Sequence, residues 1–259
     1  MQKLFKRKAM EGFAIVTGSS KGLGASLAYR MGADGYNVVV NHTSGNSKEK
    51  AEAVAEQITK DFGVKAIVIQ ADVSDASQCK MLVEKGVEAF GDKIAVLVNN
   101  AGIHLGRPLF LDETPEEIVQ MFSTNVFGAY YMSLYVLPYM VKQNYGAIVN
   151  MSSVAAYGDK NNVDYGGTKG ALNSFTKCLA LRFAENNIRV NAMAPSAHVT
   201  EMVQWVQENQ PETLEEAMKD IPMGKMGMPE DVAELCSYLA HAPLVTGNIV
   251  SPSGGCVMP

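Results

Sequence analysis

Short apolar runs alternate with longer amphipathic stretches along most of the chain. The short runs are rich in Val, Ile and Ala and predict buried strands, whereas the longer stretches have the apolar spacing of helices. The predicted strands cover residues 13–17, 37–41, 64–71, 94–99, 147–151, 189–194 and 248–251. The predicted helices cover residues 22–33, 47–62, 77–90, 115–142, 165–186 and 229–241.

This alternation is typical of right-handed βαβ crossovers. It predicts an α/β fold with a Rossmann-like doubly wound sheet of about seven parallel strands and helices on both faces. No linker, low-complexity tract or internal repeat interrupts the sequence, so we expect residues 1–259 to form a single domain. Ligands of such sheets bind beyond the carboxyl ends of the strands, which is where the motifs described below fall.

Composition and charge narrow the classes of function. The net charge of −5 argues against nucleic acid or an anionic membrane as the main partner. The start of the chain is basic, but the apolar run at 13–17 is too short for a signal core or a membrane span. The cysteines show no metal-type or redox-type spacing, which predicts reduced thiols, a cytoplasmic protein and no metal site. They are Cys79, Cys178, Cys236 and Cys256.

A glycine-rich loop with the spacing G-x-x-x-G-x-G follows the first predicted strand, at residues 17–24. Glycines permit a tight turn and close backbone approach to a pyrophosphate, and the following helix offers free N–H groups. The alternative is an ordinary strand-to-helix turn, but the position in a first βαβ unit favours dinucleotide binding. The expected cofactor contacts are Gly18, Ser20, Lys21, Gly22, Leu23 and Gly24.

The end of the second predicted strand carries no acid. An NAD-selective site usually has Asp or Glu there to bind the ribose 2′-hydroxyl, so nothing in this chain would repel a 2′-phosphate. Lys21 could supply positive charge to that phosphate, although it could also be a solvated surface lysine. We therefore predict NADP(H) in preference to NAD(H), with further contacts from Asn41, His42, Thr43 and Ser44.

Tyr165 and Lys169 are four residues apart in a predicted helix, so their side chains lie on one face. A free tyrosine has a pKa of about 10 and is a poor acid-base group at neutral pH. A nearby cation favours the phenolate and lowers that pKa. The pair therefore predicts an acid-base role for Tyr165, provided that the other motifs of such a site are present.

Together these motifs resemble the short-chain dehydrogenase/reductase family, over about residues 12–255. The resemblance rests on residues 17–24, 99–102, Thr124-Asn125, Ser152-Ser153 and Tyr165…Lys169, which occur in this order. It implies an NAD(P)-dependent alcohol dehydrogenase or ketone reductase in which Tyr165 is the general acid or base. Lys169 would lower the Tyr165 pKa and hold the nicotinamide ribose, and Asn125 would be the family's helix-breaking asparagine.

The family also uses a serine to polarise the carbonyl, and two candidates are present. Counting back from Tyr165 by the family's usual separation gives Ser152, whereas counting along the strand gives Ser153. A one-residue slip in a strand reverses every side chain, while loop length changes easily. We therefore choose Ser153 and expect Ser152 to support the backbone.

Further cofactor contacts follow from the resemblance. They are Asp72 and Val73 near the adenine, Asn99, Ala101 and Gly102 near the ribose, and Pro195, Ser196, His198 and Thr200 near the nicotinamide. Ser196 replaces the usual glycine, and Ser253 replaces a common Asp in the closing segment. We expect His198 to be a surface-loop histidine with a backbone contact, the alternative being a polar substrate contact.

The substrate loop of the family should lie at about residues 200–228. Methionines in this loop suit an adaptable apolar pocket, although core packing is the favoured interpretation for most of them. They are Met202, Met218, Met223, Met226 and Met228. Trp205 is the best candidate for a substrate-facing aromatic. No obvious basic patch would bind an acyl-carrier protein, so we predict a small, largely apolar ketone or secondary alcohol and keep a fatty-acid-type ketoacyl substrate as the alternative.

The predicted helices at 115–142 and 165–186 carry apolar residues on more than one face. The family resemblance implies that they pair between subunits, giving a homodimer or homotetramer. Two other classes of function stay open: a lyase or epimerase that reuses the cofactor and Tyr165, and a non-catalytic NADP(H) sensor. The complete acid-base set makes the oxidoreductase the first choice.

Overall fold

A parallel sheet forms the centre of the protein, seen in a computed structural model that describes residues 10–105, 110–199 and 218–259. In these ranges the sheet has seven strands in the order β3-β2-β1-β4-β5-β6-β7. They are β1 (Phe13–Val16), β2 (Asn37–His42), β3 (Ala66–Gln70), β4 (Ile94–Asn99), β5 (Gly146–Met151), β6 (Ile188–Met193) and β7 (Ile249–Val250). All neighbouring strands are parallel, so the predicted fold class is confirmed.

Helices cover both faces of the sheet. They are α1 (Gly22–Ala33), α2 (Lys48–Phe62), α3 (Ala76–Phe90), α4 (Pro115–Phe122), α5 (Gly128–Gln143), α6 (Val163–Phe183) and α7 (Pro229–His241). In β1, Ala14 and Val16 pack with α1, α2 and α7, whereas Phe13 and Ile15 pack with α3, α5 and α6. Successive side chains of a strand point to opposite faces, so this fully buried strand supports two apolar layers at once.

The predicted helix at 115–142 is in fact interrupted. A π-helical turn, Ser123–Phe127, separates α4 from α5, and its buried Asn125 explains the break because the side chain binds a neighbouring loop. Two predicted strands are shorter than expected, since β3 begins at Ala66 and β7 is only Ile249–Val250. Across the described ranges, no helix is both long and apolar enough to cross a membrane.

The switch point of the sheet lies between β1 and β4, which are neighbours although β2 and β3 separate them in sequence. The crossovers that leave β1 and β4 go to opposite sides of the sheet. A crevice therefore opens beyond the carboxyl ends of these strands, which is the place where doubly wound sheets bind ligands. The loops that follow β1, β4 and β5 all reach this edge.

Candidate active site

The loop between β1 and α1 is packed so tightly that only glycine fits at two positions. Gly18 has a positive φ of 62°, and a Cβ there would lie 2.9 Å from the Cα of Ala101. A Cβ on Gly24 would lie 2.2 Å from the Gly18 carbonyl oxygen. Lys21 caps α1 without a side-chain hydrogen bond, so the first N–H groups of the helix are free of a side-chain cap. The loop thus has the form of an anion cradle.

Asn41 fixes this loop from the end of β2. Its Oδ1 accepts the Gly18 N–H at 2.9 Å, and its Nδ2 donates to the carbonyl oxygens of Ile69 and Ala71 at 3.2 and 3.0 Å. The residue is fully buried. Its main-chain N–H donates to the Ser19 hydroxyl and its main-chain carbonyl oxygen accepts the Ser19 N–H, each at 2.9 Å. Both the side chain and the main chain therefore brace the glycine-rich loop, which does not fit the expected cofactor contact.

His42 is also buried, and its Nδ1 is 2.9 Å from the Ser44 carbonyl oxygen. The imidazole thus supports the local turn, which does not fit the expected cofactor contact. Thr43, Ser44 and Lys21 are exposed, so these three residues of the expected set remain accessible around the 2′ position.

The segment after β4 is joined to the glycine-rich loop by main-chain and side-chain hydrogen bonds. Asn100 Nδ2 donates to the carbonyl oxygens of Thr17 and Gly18 at 2.9 and 3.1 Å. The Thr17 hydroxyl accepts the N–H groups of Asn100 and Ala101, each at 3.0 Å. This bracing, expected from residues 99–102, holds the Ala101 backbone against Gly18.

Asn99 points away from the crevice. Its Nδ2 donates to Asn150 Oδ1 at 2.9 Å and to the Ser133 hydroxyl at 3.2 Å, and the residue is buried. Its side chain links β4 to β5 and α5. Of the predicted ribose set, Ala101 and Gly102 are therefore the positions that reach the crevice.

Tyr165, Ser153 and Lys169 come together at the carboxyl end of β5. The Ser153 side chain lies close enough to the Tyr165 side chain to lower the pKa of the phenol. Lys169 Nζ lies 5.4 Å from the centroid of the Tyr165 ring and donates to the Met151 carbonyl oxygen at 2.7 Å. Gly102 closes the cluster, because a Cβ there would be 3.5 Å from Lys169 Nζ. The structure thus brings the predicted acid-base set into one cluster.

The two serines after β5 have different environments. Ser152 is 1% exposed, and its hydroxyl donates to the Lys169 carbonyl oxygen at 3.3 Å. Ser153 is half-buried, faces Tyr165 and accepts the Ala155 N–H at 3.2 Å. Strand register therefore identifies the residue that meets the tyrosine, and Ser152 supports the backbone as expected.

Burial determines the pKa values in this cluster. Loss of solvent raises the pKa of Tyr165, and the Ser153 side chain partly opposes that rise. Burial lowers the pKa of Lys169 to about 8. The expectation that Lys169 lowers the Tyr165 pKa does not fit the structure, because desolvation is the largest cause of the shift and Ser153 is the group that opposes it.

Asn125 holds the loop that follows β4. Its Oδ1 accepts the Ile103 N–H at 2.7 Å, and its Nδ2 donates to the Ile103 carbonyl oxygen at 2.9 Å. The same Nδ2 lies 3.2 Å from the Thr168 hydroxyl on α6. The π-helical turn therefore ties this loop to the helix that carries Tyr165 and Lys169.

His104 is a site residue that the sequence reasoning missed. Its ring meets the Tyr165 ring edge-on, with centroids 5.1 Å apart and an interplanar angle of 70°. Its Nε2 is hydrogen-bonded to Asn162 Oδ1, and Asn162 Nδ2 lies 2.8 Å from Asp159 Oδ2. The only signal in the sequence was its position two residues after the predicted contact Gly102.

Asp72 and Val73 follow β3. Asp72 Oδ1 accepts from the N–H and hydroxyl of Ser74 at 2.9 and 2.8 Å. Val73 is 4% exposed and packs on Gly128, where a Cβ would be 2.7 Å from Val73 Cγ2. Asp72 remains partly accessible as a predicted adenine contact, whereas Val73 chiefly supports α5.

The segment after β6 is packed into the protein. The Val154 N–H donates to the Pro195 carbonyl oxygen at 3.1 Å, and the Ser196 hydroxyl donates to the Ser253 carbonyl oxygen at 3.3 Å. His198 is 3% exposed, so the expectation of a surface-loop histidine is wrong. Its predicted backbone contact is present, since Nδ1 lies 2.9 Å from the Ser196 carbonyl oxygen.

Part of the predicted substrate loop is described. Thr200, Met202 and Trp205 lie outside the described residues. Met223 and Met228 are 65% and 50% exposed, so core packing is wrong for these two. Their exposure leaves them accessible to a ligand.

The cluster can exchange a proton with a bound oxygen atom, because a phenol, a hydroxyl and a buried ammonium meet at one point beside an anion cradle. Within residues 10–105, 110–199 and 218–259, no group of His, Cys, Asp or Glu is arranged to hold a metal ion. All four cysteines are unpaired.

Comparisons with known proteins agree with this geometry. The short chain dehydrogenase family profile matches residues 12–211. A 3-oxoacyl-[acyl-carrier-protein] reductase of Staphylococcus aureus is 38% identical over 248 residues, which are 95% of this chain and 98% of the relative. An uncharacterized oxidoreductase of Methylorubrum extorquens is 39% identical over 93% of this chain and 96% of its own length. A putative short-chain alcohol dehydrogenase from Sinorhizobium meliloti superposes with a TM-score of 0.88 at 30% identity, over 96% and 97% of the two chains.

Proposed function

Because this chain belongs to the short chain dehydrogenase family, we propose that it is an NADP(H)-dependent enzyme that interconverts a ketone and a secondary alcohol on a small, largely apolar substrate. Family membership makes the chain an oxidoreductase, and the proposal adds its cofactor, its substrate class and the roles of its residues. The observation that carries the proposal is the buried Lys169, whose Nζ lies 5.4 Å from the Tyr165 ring centroid, with Ser153 beside the same tyrosine. We further propose that residues 1–259 form one catalytic domain, with a substrate loop at about 200–228.

The residues around the crevice fit NADP(H). Gly18 and Gly24 make a cradle that a Cβ would fill, next to the helix N-terminus of α1. Thr43 and Ser44 are exposed just after β2, where an NAD-selective site would usually have an acid, and Lys21 is exposed at the N-terminus of α1. A lysine and two hydroxyls can bind a 2′-phosphate through charge and hydrogen bonds. When bound, the cofactor would supply or take up a hydride.

The roles of the acid-base residues follow from their contacts. In reduction, the Tyr165 hydroxyl gives its proton to the carbonyl oxygen as the carbonyl carbon gains the hydride. Its raised pKa keeps that proton in place at neutral pH until the oxygen becomes basic. The Ser153 hydroxyl donates a hydrogen bond to the same oxygen, and the Lys169 charge stabilises the phenolate that remains. Alcohol oxidation uses the same groups in reverse.

A ketoacyl thioester is the second candidate substrate, because relatives at 36–38% identity are named 3-oxoacyl-[acyl-carrier-protein] reductases. The exposed Met223 and Met228 favour an apolar substrate, which both candidates share. An NADP(H) sensor ranks below the oxidoreductase because a binding protein has no use for the complete acid-base set. A lyase or epimerase would use the cofactor and Tyr165 without net hydride transfer, so net cofactor turnover distinguishes it from a reductase.

A homo-oligomer is part of the proposal, as either a dimer or a tetramer. On α5, exposed apolar side chains recur on one face, and Leu181 on α6 is 82% exposed. Tyr130 and Phe175 stack with centroids 3.7 Å apart, which joins the surfaces of the two helices. Burying such a surface against a second copy is favourable. We also propose a cytoplasmic location, which the unpaired cysteines support.

The test is nucleotide titration of the purified protein with NADPH and NADH, followed by a panel of ketones that includes a 3-oxoacyl thioester. We expect tighter binding of NADPH, turnover of small ketones, and a larger loss of NADPH than of NADH affinity in Lys21→Ala. Equal losses for the two nucleotides would remove the 2′-phosphate role of Lys21. Tight binding without any turnover would favour the sensor or the non-redox enzyme.

A further inference from the structure

His104 occupies a position that the proposed acid-base chemistry does not explain. It is exposed, it follows the loop segment that Asn125 holds, and its ring meets the edge of the Tyr165 ring at 5.1 Å between centroids. A side chain that is exposed and also touches the acid-base tyrosine can meet both solvent and a substrate bound at that tyrosine. The imidazole is therefore a candidate for direct contact with the substrate.

Asn162 holds this imidazole in place. It is the N-cap residue of α6, a position where asparagine commonly accepts a hydrogen bond from the first turn of its helix. Here the side chain makes no capping bond and binds His104 and Asp159 instead. The helix that carries Tyr165 thus lacks a side-chain cap, and the asparagine orients the histidine.

The network defines which nitrogen of His104 carries the proton. The Asn162 amide group must direct its NH₂ to the Asp159 carboxylate, because a carboxylate can only accept. Its carbonyl oxygen then faces His104 and can only accept, so Nε2 is the protonated nitrogen of the neutral ring. Nδ1 is left with a lone pair, and no hydrogen bond to it comes from the part of the chain that the structure describes.

We propose that His104 is a specificity-determining residue whose Nδ1 accepts a hydrogen bond from a hydroxyl group that the substrate carries close to its reacting carbonyl. The substrate class is thereby narrowed to hydroxy ketones and the corresponding diols. The short distance between the two rings requires the hydroxyl and the carbonyl to be near each other in the molecule. This inference rests on the proposed ketone reduction.

Matched substrates test the inference through turnover. We expect the protein with NADPH to reduce 3-hydroxy-2-butanone with a kcat/KM about tenfold above that for 2-butanone. His104→Phe keeps an aromatic ring against Tyr165 but has no acceptor, so it should abolish this preference through the KM of the hydroxy ketone. Asn162→Leu should also abolish the preference for the hydroxy ketone, because His104 is then no longer oriented. Lys160→Ala is the control and should keep the preference. An unchanged preference in His104→Phe would contradict the inference while leaving the reductase intact.

Nitrogen-15 NMR of the imidazole tests it without turnover, with His104→Phe used for assignment. We expect the neutral His104 imidazole to be the Nε2–H tautomer. We also expect the Nδ1 resonance to shift when 3-hydroxy-2-butanone is added to the NADP⁺-loaded protein, and not to shift when 2-butanone is added. The Nδ1–H tautomer, or equal responses to both compounds, would overturn the inference. If the shift is found but no ketone is reduced, the proposed function fails and the hydroxyl contact stands.

Discussion

At the residue scale, adjacent positions on one strand end have separate tasks. Ser152 and Ser153 point to opposite sides because strand side chains alternate, so only Ser153 reaches Tyr165. The choice of Ser153 could be predicted by counting along the strand to the family's serine position, because a strand register is harder to change than a loop length. The apolar pattern alone could not decide it, since β5 is buried at every position. The side-chain contacts of Asn41, His42 and His104 could not be predicted, because they depend on which loops meet in space.

The serine pair gives a matched test. We expect Ser153→Ala to lower kcat for ketone reduction by about 100-fold, because the carbonyl oxygen loses a hydrogen-bond donor. Ser152→Ala should change kcat by less than about threefold, since its weak bond to the Lys169 carbonyl is remote from the oxygen. Steady-state kinetics of both variants decides the assignment, and the reverse order of effects would refute it.

The buried Lys169 should make the free energy of unfolding depend on pH. Burial lowers its pKa from 10.5 to about 8, so unfolding takes up a proton between these pH values and stability rises with pH across that window. Lys169→Met removes the buried charge but leaves the Met151 carbonyl unpaired. At pH 7 we expect the cofactor-free variant to be more stable by about 1–3 kcal/mol.

Urea unfolding of wild type and Lys169→Met at pH 7 and 9.5 measures this effect. The difference should shrink at the higher pH, where the wild-type lysine is largely neutral in the folded state. Loss of activity should accompany the gain in stability, because the reaction needs the positive charge of Lys169 whereas burial of that charge destabilises the fold. A variant that is less stable than wild type at pH 7 would show that the Met151 hydrogen bond outweighs the cost of the buried charge.

At the scale of elements, the break between α4 and α5 forms part of the site. The apolar spacing continues through residues 115–142, so periodicity predicts one helix, and only the family resemblance indicated a break at Asn125. The structure adds the cause, which is that both ends of the amide bind Ile103. Helix and strand positions were otherwise predictable because burial on a sheet imposes clear periodicities.

Replacing this amide tests its role. Asn125→Ala leaves the N–H and carbonyl of Ile103 without their partners, so we expect a loss of stability of about 3 kcal/mol. Turnover should fall as well, because the loop that carries Gly102 and His104 is no longer held. Thr124→Ala, the neighbouring position, is the control. Thermal unfolding and kinetics together test the claim, and an Asn125→Ala protein with wild-type values of both would disprove it.

At the scale of the whole molecule, the sheet order brings the ends of β1, β4 and β5 to one edge. The sequence predicts the strands and their parallel arrangement, but their spatial order is a property of the crossovers. The same arrangement leaves the apolar surface of α5 and α6 on the outside. An exposed apolar stripe on this surface starts at Phe127, the last residue of the π-helical turn, and continues along α5 through Tyr130, Leu134 and Val141 with helical spacing.

This surface predicts the assembly. We expect light scattering at micromolar concentration to give a dimer or tetramer. Leu134→Glu should shift the protein toward the monomer, because a carboxylate would have to be buried in the interface. Tyr29→Ser, on α1 at the opposite face of the sheet, should leave the assembly unchanged. A monomeric wild-type protein would refute the proposed assembly.

The most direct test of the central claim is Tyr165→Phe, with turnover and nucleotide binding measured on the same preparation. The substitution removes the acidic proton and keeps the ring that packs against His104. We expect NADPH-dependent ketone reduction to fall by about 1,000-fold, while the NADPH dissociation constant stays within about threefold of wild type. Unchanged turnover in this variant would contradict the account, since the phenol could then not be the group that protonates the carbonyl oxygen.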